Sequence, residues 1–275
     1  MYQIARKQEM AKGSIVRFDV TAPEIARKIL PGQFVIVRVN ETGERIPLTV
    51  ADCSAEEGTI TIIFQVVGKT TALLGSLEAG EAIRDVAGPL GRPSEIERLG
   101  TIVAVGGGTG VAILHHTVKA FKQKGNHILG IMGAREKDLL ILEDQMRALC
   151  DELIVTTDDG SYGIKGFVTE PLQRYLEQRK DIQRVYAVGP IVMMKNVCAI
   201  TEKYHVQTIV SLNPIMIDGT GMCGGCRVAV GGKTQFCCVD GPEFDGHQVD
   251  FDGLQRRLSL YSENEKESIL HSIRK

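Results

Sequence analysis

The chain has 275 residues, which is long enough for about two domains and a small appendage. Its formal net charge of −2 gives no electrostatic basis for a nucleic-acid or membrane-surface partner, so we expect neither. No apolar run approaches the ~20 residues of a membrane span, and the first residues have no secretory pattern, so we expect a cytoplasmic protein.

Residues 1–97 have the pattern of short strands separated by turns. Residues 14–20 alternate between apolar and polar side chains, whereas 32–39 and 59–67 are rich in β-branched residues. Glycines and prolines separate these runs. Several short strands at close spacing predict an antiparallel β-barrel or sandwich.

Strands and helices alternate between residues 98 and 212. Residues 100–105 form a continuous apolar strand, as a parallel sheet buried on both faces requires. Helices are predicted at 111–124, 139–148, 168–177 and 191–204, and the later strands at 127–132, 152–156, 184–188 and 207–212. This alternation predicts a doubly wound α/β domain.

The rest of the chain fits neither pattern. Residues 213–250 are rich in glycine and cysteine with little periodicity, which predicts a loop-built module. Residues 251–275 form a charged tail that we expect to pack back on the protein or meet a partner. Its predicted apolar positions are Leu254, Leu258, Leu260 and Tyr261.

Four of the seven cysteines fall between residues 223 and 238. An odd total, clustered at one end of a chain without an export signal, favours a metal site over a disulfide framework. The scattered cysteines are expected to be small buried hydrophobes, namely Cys53, Cys150 and Cys198.

The segment Asp218-Gly-Thr-Gly-Met-Cys223-Gly-Gly-Cys226 has the spacing of a plant-type ferredoxin loop, C-x4-C-x2-C, with aspartate in the first position. Cys237 or Cys238 would supply the distant ligand. Glycines let the backbone wrap a cluster and direct N–H groups at its sulfurs, so we favour a [2Fe–2S] cluster. A zinc knuckle and a metal-free loop remain as alternatives.

Asp218 itself has two interpretations. It lies five residues before Cys223, where the ferredoxin loop has its first ligand, or it caps a turn while Cys237 and Cys238 both bind iron. Because adjacent side chains of an extended strand point to opposite faces, we favour Asp218 as the ligand.

The glycine-rich run at 106–110 lies between a predicted strand and a predicted helix, where a tight turn can bring a pyrophosphate to the helix N–H groups. It does not match the G-x-G-x-x-G fingerprint, because Val111 stands where the third glycine belongs. Arg135 follows the second strand, where that fingerprint has an acidic residue. We predict nucleotide binding in a variant fold, with a simple turn as the alternative.

A third motif combines an arginine, hydroxyl groups and a glycine turn in the N-terminal part. Residues 45–49 are Arg-Ile-Pro-Leu-Thr and residues 68–71 are Gly-Lys-Thr-Thr, a combination that can bind a diphosphate. Taken alone, a solvated hairpin explains it better.

In this order, the three motifs resemble the ferredoxin–NADP reductase superfamily over residues from about 5 to 250. Gly-Pro-Leu-Gly at 88–91, Thr-Asp-Asp-Gly-Ser at 157–161 and Gly-Pro at 189–190 add to the likeness. Within the superfamily, the chain is most similar to two related subunits. One is the electron-transfer subunit of dihydroorotate dehydrogenase B, and the other is the small subunit of NADH-dependent reduced ferredoxin:NADP oxidoreductase.

The resemblance implies FAD in a barrel at 1–97, NAD(H) on an α/β domain at 98–212, a [2Fe–2S] module at 213–250 and a tail at 251–275. The implied FAD residues are Arg45, Pro47, Leu48, Thr49, Phe64, Gln65, Val66, Gly68, Thr70 and Thr71. The implied nucleotide residues are Gly107, Gly108, Thr109, Gly110, Asp158, Gly189, Pro190 and Met193. The implied cluster ligands are Asp218, Cys223, Cys226 and Cys238, with Cys238 preferred to Cys237.

Asp218 distinguishes the two subfamilies, since the resemblance implies a cysteine there in the dihydroorotate dehydrogenase subunit and an aspartate in the other. We therefore expect the NADH-binding half of an electron-bifurcating heterodimer. Its larger flavin and iron–sulfur subunit would link it indirectly to ferredoxin and NADP. The alternatives are the dihydroorotate dehydrogenase B subunit, a stand-alone NADH reductase and a redox-sensing regulator, although no helix-turn-helix motif or basic patch is visible.

The chemistry would belong to the cofactors, because a flavin can exchange two electrons with a nicotinamide and one with a cluster. We therefore predict no general acid or base, and His115 and His116 are expected to be structural. Arg135 would suit a 2′-phosphate, but Asp158 and Asp159 would repel one, so NADH is the expected nucleotide.

Overall fold

The computed structural model describes residues 1–260, and these form two compact units. The first contains Met1–Arg92, Asn213–Pro242 and residues 250–260, and the second contains Pro93–Leu212 and Glu243–Val249. Tyr261, which we predicted to lie on an amphipathic tail, is outside the described residues. Within residues 1–260, no helix is both long and apolar enough to cross a membrane.

The first unit is built on a curled antiparallel sheet of seven strands in the order β6-β1-β2-β5-β4-β3-β7. Its strands are β1 (Tyr2–Met10), β2 (Ile15–Thr21), β3 (Phe34–Arg38), β4 (Arg45–Ser54), β5 (Thr59–Gln65), β6 (Ala82–Ile83) and β7 (Asp85–Leu90), with helices α1 (Pro23–Ala26) and α2 (Lys69–Gly75). Alternate residues of β2 and β5 fill the core, where the rings of Phe18 and Phe64 meet edge to face at 5.4 Å.

Strands β2, β3 and β5 match the predicted runs, but β1 was not predicted. Ile4 is the only residue of β1 that is buried, so the strand lacks the apolar alternation on which the prediction depended. Strand β1 is instead stabilised by pairing with β2, from Ile4 to Met10.

The second unit contains a mostly parallel sheet in the order β11-β10-β9-β8-β12-β13-β16. Its strands are β8 (Thr101–Gly107), β9 (His127–Ala134), β10 (Glu152–Thr157), β11 (Ile164–Lys165), β12 (Ile182–Val188) and β13 (Gln207–Ser211), followed later by β16 (Glu243–Asp245). Its helices are α3 (Gly110–Gln123), α4 (Glu143–Leu149), α5 (Thr169–Gln178) and α6 (Ile191–Lys203). Every residue of β8 is buried, as its continuous apolar sequence predicted.

The helix predicted from residue 139 was placed too early. Residues 137–139 form a 3-10 turn, and α4 begins at Glu143 because Leu142 has a left-handed backbone (φ 57°) that interrupts the helix. Of the scattered cysteines, Cys198 is buried as predicted, whereas Cys53 and Cys150 are only half-buried. Desolvation raises the pKa of Cys150 and Cys198 to about 12.

Residues 213–242 are more regular than predicted. They contain a hairpin of β14 (Arg227–Val230) and β15 (Lys233–Phe236), then one turn of helix, α7 (Cys237–Asp240). Gly231 and Gly232 have φ of 57° and 74°, as a two-residue hairpin turn of the primed type requires. That glycine pair was a usable sequence signal.

The tail packs back on the protein within the described residues. Helix α8 (Phe251–Ser259) buries Phe251 and Leu254, and its N-cap residue Asp250 accepts a hydrogen bond from the N–H of Gly253 at 2.8 Å. The N–H of Asp250 also donates to the carbonyl of Ala229 in β14, at 2.9 Å. Leu260, in contrast, is exposed.

Glu243 makes the stability of the second unit dependent on pH. Removal from water raises the pKa of Glu243 to about 7, although the Ser94 hydroxyl donates to its carboxylate at 2.7 Å and opposes that rise. The protonated form is favoured in the folded state, so this contribution is fully present below the unfolded pKa and is lost as pH rises through about 7.

We therefore predict that replacing Glu243 by glutamine, which cannot ionise, flattens the pH profile of stability. Between pH 5 and pH 8 the wild type should lose roughly 1–3 kcal/mol of unfolding free energy more than Glu243→Gln does. Urea unfolding at both pH values measures the difference. Glu97→Gln, which removes an exposed carboxylate, should follow the wild type, and parallel profiles for all three proteins would contradict the prediction.

Candidate functional site

The glycine-rich loop of the second unit lies at the carboxyl ends of two adjacent strands. The chain leaves β8 through Gly107 and Gly108 and enters α3 at Gly110, while the neighbouring β12 leads through Gly189 and Pro190 into α6. Strands β9 and β10 lie on one side of β8, and β12 and β13 lie on the other. This is a topological switch point, where open α/β sheets bind ligands.

Further predicted nucleotide residues lie at the same edge. Met193 of α6 and Pro190 both border Gly107. Asp158 follows β10, and its N–H donates to the carbonyl of Ala134 at the end of β9, at 3.1 Å. The structure therefore brings the glycine loop, Gly189, Pro190, Met193 and Asp158 to one edge of the sheet.

The two charges that bear on nucleotide choice also lie near this edge. The N–H of Asp159 donates to the carbonyl of Arg135 at 3.2 Å, and both residues are exposed. The N–H and hydroxyl of Ser161 donate to the Asp159 carboxylate at 2.9 and 2.7 Å and hold its pKa below the usual value. Asp159 is therefore ionised at neutral pH.

In the first unit, the Arg-Ile-Pro-Leu-Thr motif lies on β4. Arg45 pairs with Arg38 of β3, and Leu48, on the opposite face of the strand, packs against the core. Phe64 is buried in that core and Val66 packs against it, whereas Gln65 is exposed. Pro47 and Thr49 lie on the same face of β4 as Arg45.

The Gly-Lys-Thr-Thr motif forms the start of α2. The Thr71 hydroxyl accepts hydrogen bonds from the N–H groups of Val67 and Gly68 at 3.0 and 2.9 Å, which closes the turn. Thr70 is buried, and its hydroxyl donates to the carboxylate of Glu44 at 2.8 Å. Both hydroxyl groups are thus engaged within the protein.

The predicted cluster loop, residues 218–226, is organised around Asp218. Its carboxylate accepts hydrogen bonds from the N–H groups of Thr220 and Cys223, each at 3.0 Å. These bonds lower the pKa of Asp218, so the carboxylate is charged at neutral pH. Asp218 therefore acts as a turn cap, and the oxygen lone pairs that these bonds leave are still able to bind a metal.

The three cysteines predicted to bind the cluster are Cys223, Cys226 and Cys238, and the sulfur of each lies close to a backbone N–H group or to another of these sulfurs. The sulfurs of Cys226 and Cys238 are 3.2 Å apart. The N–H of Gly225 donates to Cys223 Sγ at 3.4 Å, and the N–H of Cys238 donates to Cys226 Sγ at 3.5 Å. Burial raises the pKa of Cys238 to about 12, and metal binding would displace that proton.

The argument that favoured Asp218 assumed that Cys237 and Cys238 lie in an extended strand, but the structure shows that they do not. They form the first turn of α7, where Cys237 is fully buried and its N–H donates to the carbonyl of Cys226 at 3.1 Å. Cys238 is the one whose sulfur meets that of Cys226.

This donor set fits an iron–sulfur cluster better than a zinc ion. Zinc requires four ligands around one point. In the part of the chain that the structure describes, no three His, Cys, Asp or Glu side chains converge on a single metal position. The loop instead offers one exposed thiol, Cys223, a close pair of thiols and a carboxylate, with N–H groups directed at two sulfurs.

The cluster loop lies against the sheet of the first unit. A Cβ on Gly219 would fall 2.9 Å from Ile36 and from Leu90, so only glycine allows this approach. A pocket of about 630 Å³ lies between the loop and the sheet, where Asp218 and Arg45 both border it. Its other lining residues are Tyr2, Ile36, Arg38, Asp85, Val86, Ala87 and Thr220.

Sequence reasoning missed those other lining residues. Ile36 and Arg38 lie on β3 directly opposite Pro47 and Arg45 of the predicted motif. Knowing how β3 and β4 pair would therefore have identified these two residues. The apolar patterns of the two strands predict that each strand exists, but they do not say which of their residues pair.

A substitution at Gly110 can test whether the glycine loop contributes to nucleotide binding. A Cβ there would lie 2.2 Å from the carbonyl oxygen of Val188 and 2.8 Å from the Cα of Gly189, and neither backbone can yield cheaply. We predict that Gly110→Ala displaces the start of α3 and weakens NADH binding roughly tenfold or more, as measured by titration calorimetry.

Gly125→Ala is the matched control, because Gly125 follows the opposite end of α3 and a Cβ there would have only Arg98 Nε within 4 Å, although its φ of 79° adds about 1–2 kcal/mol of strain. Its effect on NADH affinity should be smaller. Wild-type affinity in Gly110→Ala would show that the loop does not contact the nucleotide.

Two family models match the chain. The model of the iron–sulfur cluster binding domain of dihydroorotate dehydrogenase B matches residues 213–250. The model of the oxidoreductase NAD-binding domain matches residues 104–199. Both agree with the predicted cofactors of these regions.

Curated relatives cover nearly the whole chain. The dihydroorotate dehydrogenase B (NAD(+)), electron transfer subunit homolog of Thermotoga maritima is 49% identical over 265 residues, covering 96% of this chain and 93% of the relative. The electron transfer subunit of the same enzyme from Desulforamulus reducens is 35% identical over 242 residues, covering 85% and 91%.

Solved structures confirm the fold. A structure of the NADH-dependent reduced ferredoxin–NADP oxidoreductase, described as giving insights into flavin-based electron bifurcation, superposes with a TM-score of 0.94. It is 46% identical and covers 99% of this chain and 98% of its own. Phthalate dioxygenase reductase shares the fold alone, at 18% identity, a TM-score of 0.63 and coverage of 83% and 85%. This chain therefore belongs to the family of dihydroorotate dehydrogenase B electron transfer subunits and their homologues, which have the ferredoxin–NADP reductase fold.

Proposed function

We propose that this chain is the NADH-binding subunit of a flavin-based electron-bifurcating NADH-dependent ferredoxin:NADP oxidoreductase. It would exchange electrons between NADH, FAD and a [2Fe–2S] cluster and would pair with a larger flavin and iron–sulfur subunit. The observation that carries the proposal is Asp218, which stands in the first ligand position of the cluster loop and is tied to Cys223 by a hydrogen bond. The 46% identity to a structure studied for electron bifurcation supports the same choice.

In this proposal, the residues of the chain position the cofactors. The switch-point edge, with Gly107 to Gly110 and Met193, would hold the nucleotide, and the motifs on β4 and at the start of α2 would hold FAD. Asp218, Cys223, Cys226 and Cys238 would hold the cluster. Bound flavin supplies the exchange between two-electron and one-electron chemistry that links a nicotinamide to an iron–sulfur cluster.

The placement of Asp218 and Arg45 around one pocket supports a short route between flavin and cluster. Both residues belong to the first unit, and the loop is fixed to the sheet at Gly219. A cluster bound there would remain at a constant distance from a flavin bound on β4. No side chain is required to move a proton in this transfer.

The second candidate is the electron-transfer subunit of dihydroorotate dehydrogenase B, favoured by the names of the Thermotoga maritima and Desulforamulus reducens relatives. The two candidates differ in the partner. Native purification followed by identification of the co-purifying chain separates them. A dihydroorotate-oxidising flavoprotein would support the second candidate, and a multi-cluster flavoprotein that couples NADPH to ferredoxin and NAD would support the first.

We predict that NADH reduces the bound flavin at least about tenfold more effectively than NADPH, because the Asp158 and Asp159 carboxylates would repel a 2′-phosphate. Anaerobic rapid mixing, followed by flavin absorbance, measures both reactions. Asp158→Asn should narrow the preference, whereas Asp144→Asn, an exposed carboxylate on α4, should not. A native preference for NADPH would indicate that Arg135 dominates.

We further predict that Asp218 is an iron ligand. Asp218→Cys should keep a [2Fe–2S] cluster with altered visible and electron paramagnetic resonance spectra, and Cys237→Ala should keep the native spectra. Asp218→Asn keeps one of the two oxygens that accept the N–H groups of Thr220 and Cys223 and replaces the other by an NH2 group, so this variant should lose the cluster through the missing carboxylate and the weakened turn together. Cluster loss in Cys237→Ala with native spectra in Asp218→Asn would reject the assignment.

A further inference from the structure

Two arginines bind successive carbonyl groups inside the Cys223–Cys226 loop. Arg227 Nη1 donates to the carbonyl of Gly224 at 3.0 Å, and Arg257 Nη2 donates to the carbonyl of Gly225 at 3.1 Å. Two of the three peptide groups that link Cys223 to Cys226 are therefore held by a positively charged donor. Charged donors make stronger hydrogen bonds than neutral ones.

The first of these contacts continues to a sulfur. The peptide group whose carbonyl accepts from Arg227 has the N–H of Gly225 at its other end, and that N–H donates to Cys223 Sγ at 3.4 Å. A donor on the carbonyl polarises the peptide and strengthens its N–H as a donor. Arg227 thus acts on Cys223 through one peptide group.

The second contact comes from a different part of the chain. Arg257 lies on α8, seven residues beyond the stretch that the iron–sulfur family model matches. Helix α8 is fixed by the Asp250 cap, by the bond from Asp250 to β14 and by buried Leu254. This anchoring lets Arg257 hold the Gly225 carbonyl in place.

We propose that Arg227 and Arg257 are positioning residues that orient the Cys223–Cys226 loop and make the cluster easier to reduce. The inference rests on the proposed function, since it requires a cluster on this loop. Reduction adds one negative charge, which nearby guanidinium groups and stronger N–H···S hydrogen bonds stabilise. Helix α8 then belongs to the cluster site.

The test is a potentiometric titration of the purified full-length protein, monitored by electron paramagnetic resonance of the reduced cluster. Arg227→Gln and Arg257→Gln should each lower the equilibrium constant for reduction about three- to tenfold, a tenfold change being about 59 mV for one electron. Arg227 is exposed and Arg257 is half-buried, so screening by solvent and salt keeps the effect in this range. Arg227→Lys and Arg257→Lys, which keep the charge, should recover part of the loss.

Arg256→Gln is the matched control, because it removes the same charge from an exposed position of α8 adjacent to Arg257. Its potential should equal that of the wild type. Iron, sulfide and FAD contents are measured for every variant. If Arg227→Gln or Arg257→Gln loses the cluster but retains FAD, while Arg256→Gln keeps both, the result would support the orienting role. The reduction potential would then be measured on the corresponding lysine variant.

Potentials of Arg227→Gln and Arg257→Gln that equal that of Arg256→Gln, at full cluster content, would overturn the inference alone. A wild-type protein that binds no cluster after anaerobic reconstitution would reject the proposed function and this inference together.

Discussion

The arrangement of the first unit depends on one covered surface. Phe34 and Ile36 lie on the face of β3 opposite the main core, yet they are only 2% and 4% exposed. Residues 213–242 cover them: Gly219 approaches Ile36, and the Gly241–Pro242 backbone approaches Gly91 beside Phe34. Burying two large apolar side chains stabilises the contact by about 1.5–3 kcal/mol each.

Hydrogen bonds to backbone carbonyl groups fix the position of residues 213–242, the covering segment, along β3. The N–H of Arg92 donates to the carbonyl of Gly241 at 2.6 Å, and the Arg92 guanidinium donates to the carbonyl of Val239 at 3.3 Å. Apolar burial alone would allow the cover to slide, because the hydrophobic effect has no direction. The hydrogen bonds remove that freedom and thereby fix Asp218 relative to β4.

Much of this fold could be predicted from the sequence, because its strongest signals are local. The buried parallel strand β8 is one uninterrupted apolar run, and the glycines after it mark the start of α3. The ligand spacing from Asp218 to Cys226 is also local, and the family model for an iron–sulfur domain matches that region. The cofactor roles of individual residues remain predictions.

Other features depend on contacts between residues distant in sequence, which no local pattern contains. The covering of Ile36 requires that Gly219 approach β3, and Arg257 reaches Gly225 across 32 positions of the chain. The backbone at Leu142 could not be predicted for a related reason. Nothing in its side chain favours a left-handed backbone, so the late start of α4 reflects its tertiary surroundings rather than local propensity.

Strand β16 makes the edge of the second sheet depend on a late segment of the chain. It forms the edge of the second sheet by antiparallel pairing with β13, although the segments before and after it in sequence belong to the first unit. A chain that ended at residue 212 would leave the N–H and C=O groups of β13 open along a sheet edge, a template for aggregation. The last strand of this sheet therefore depends on the chain continuing past residue 242, because β16 follows the iron–sulfur segment in sequence.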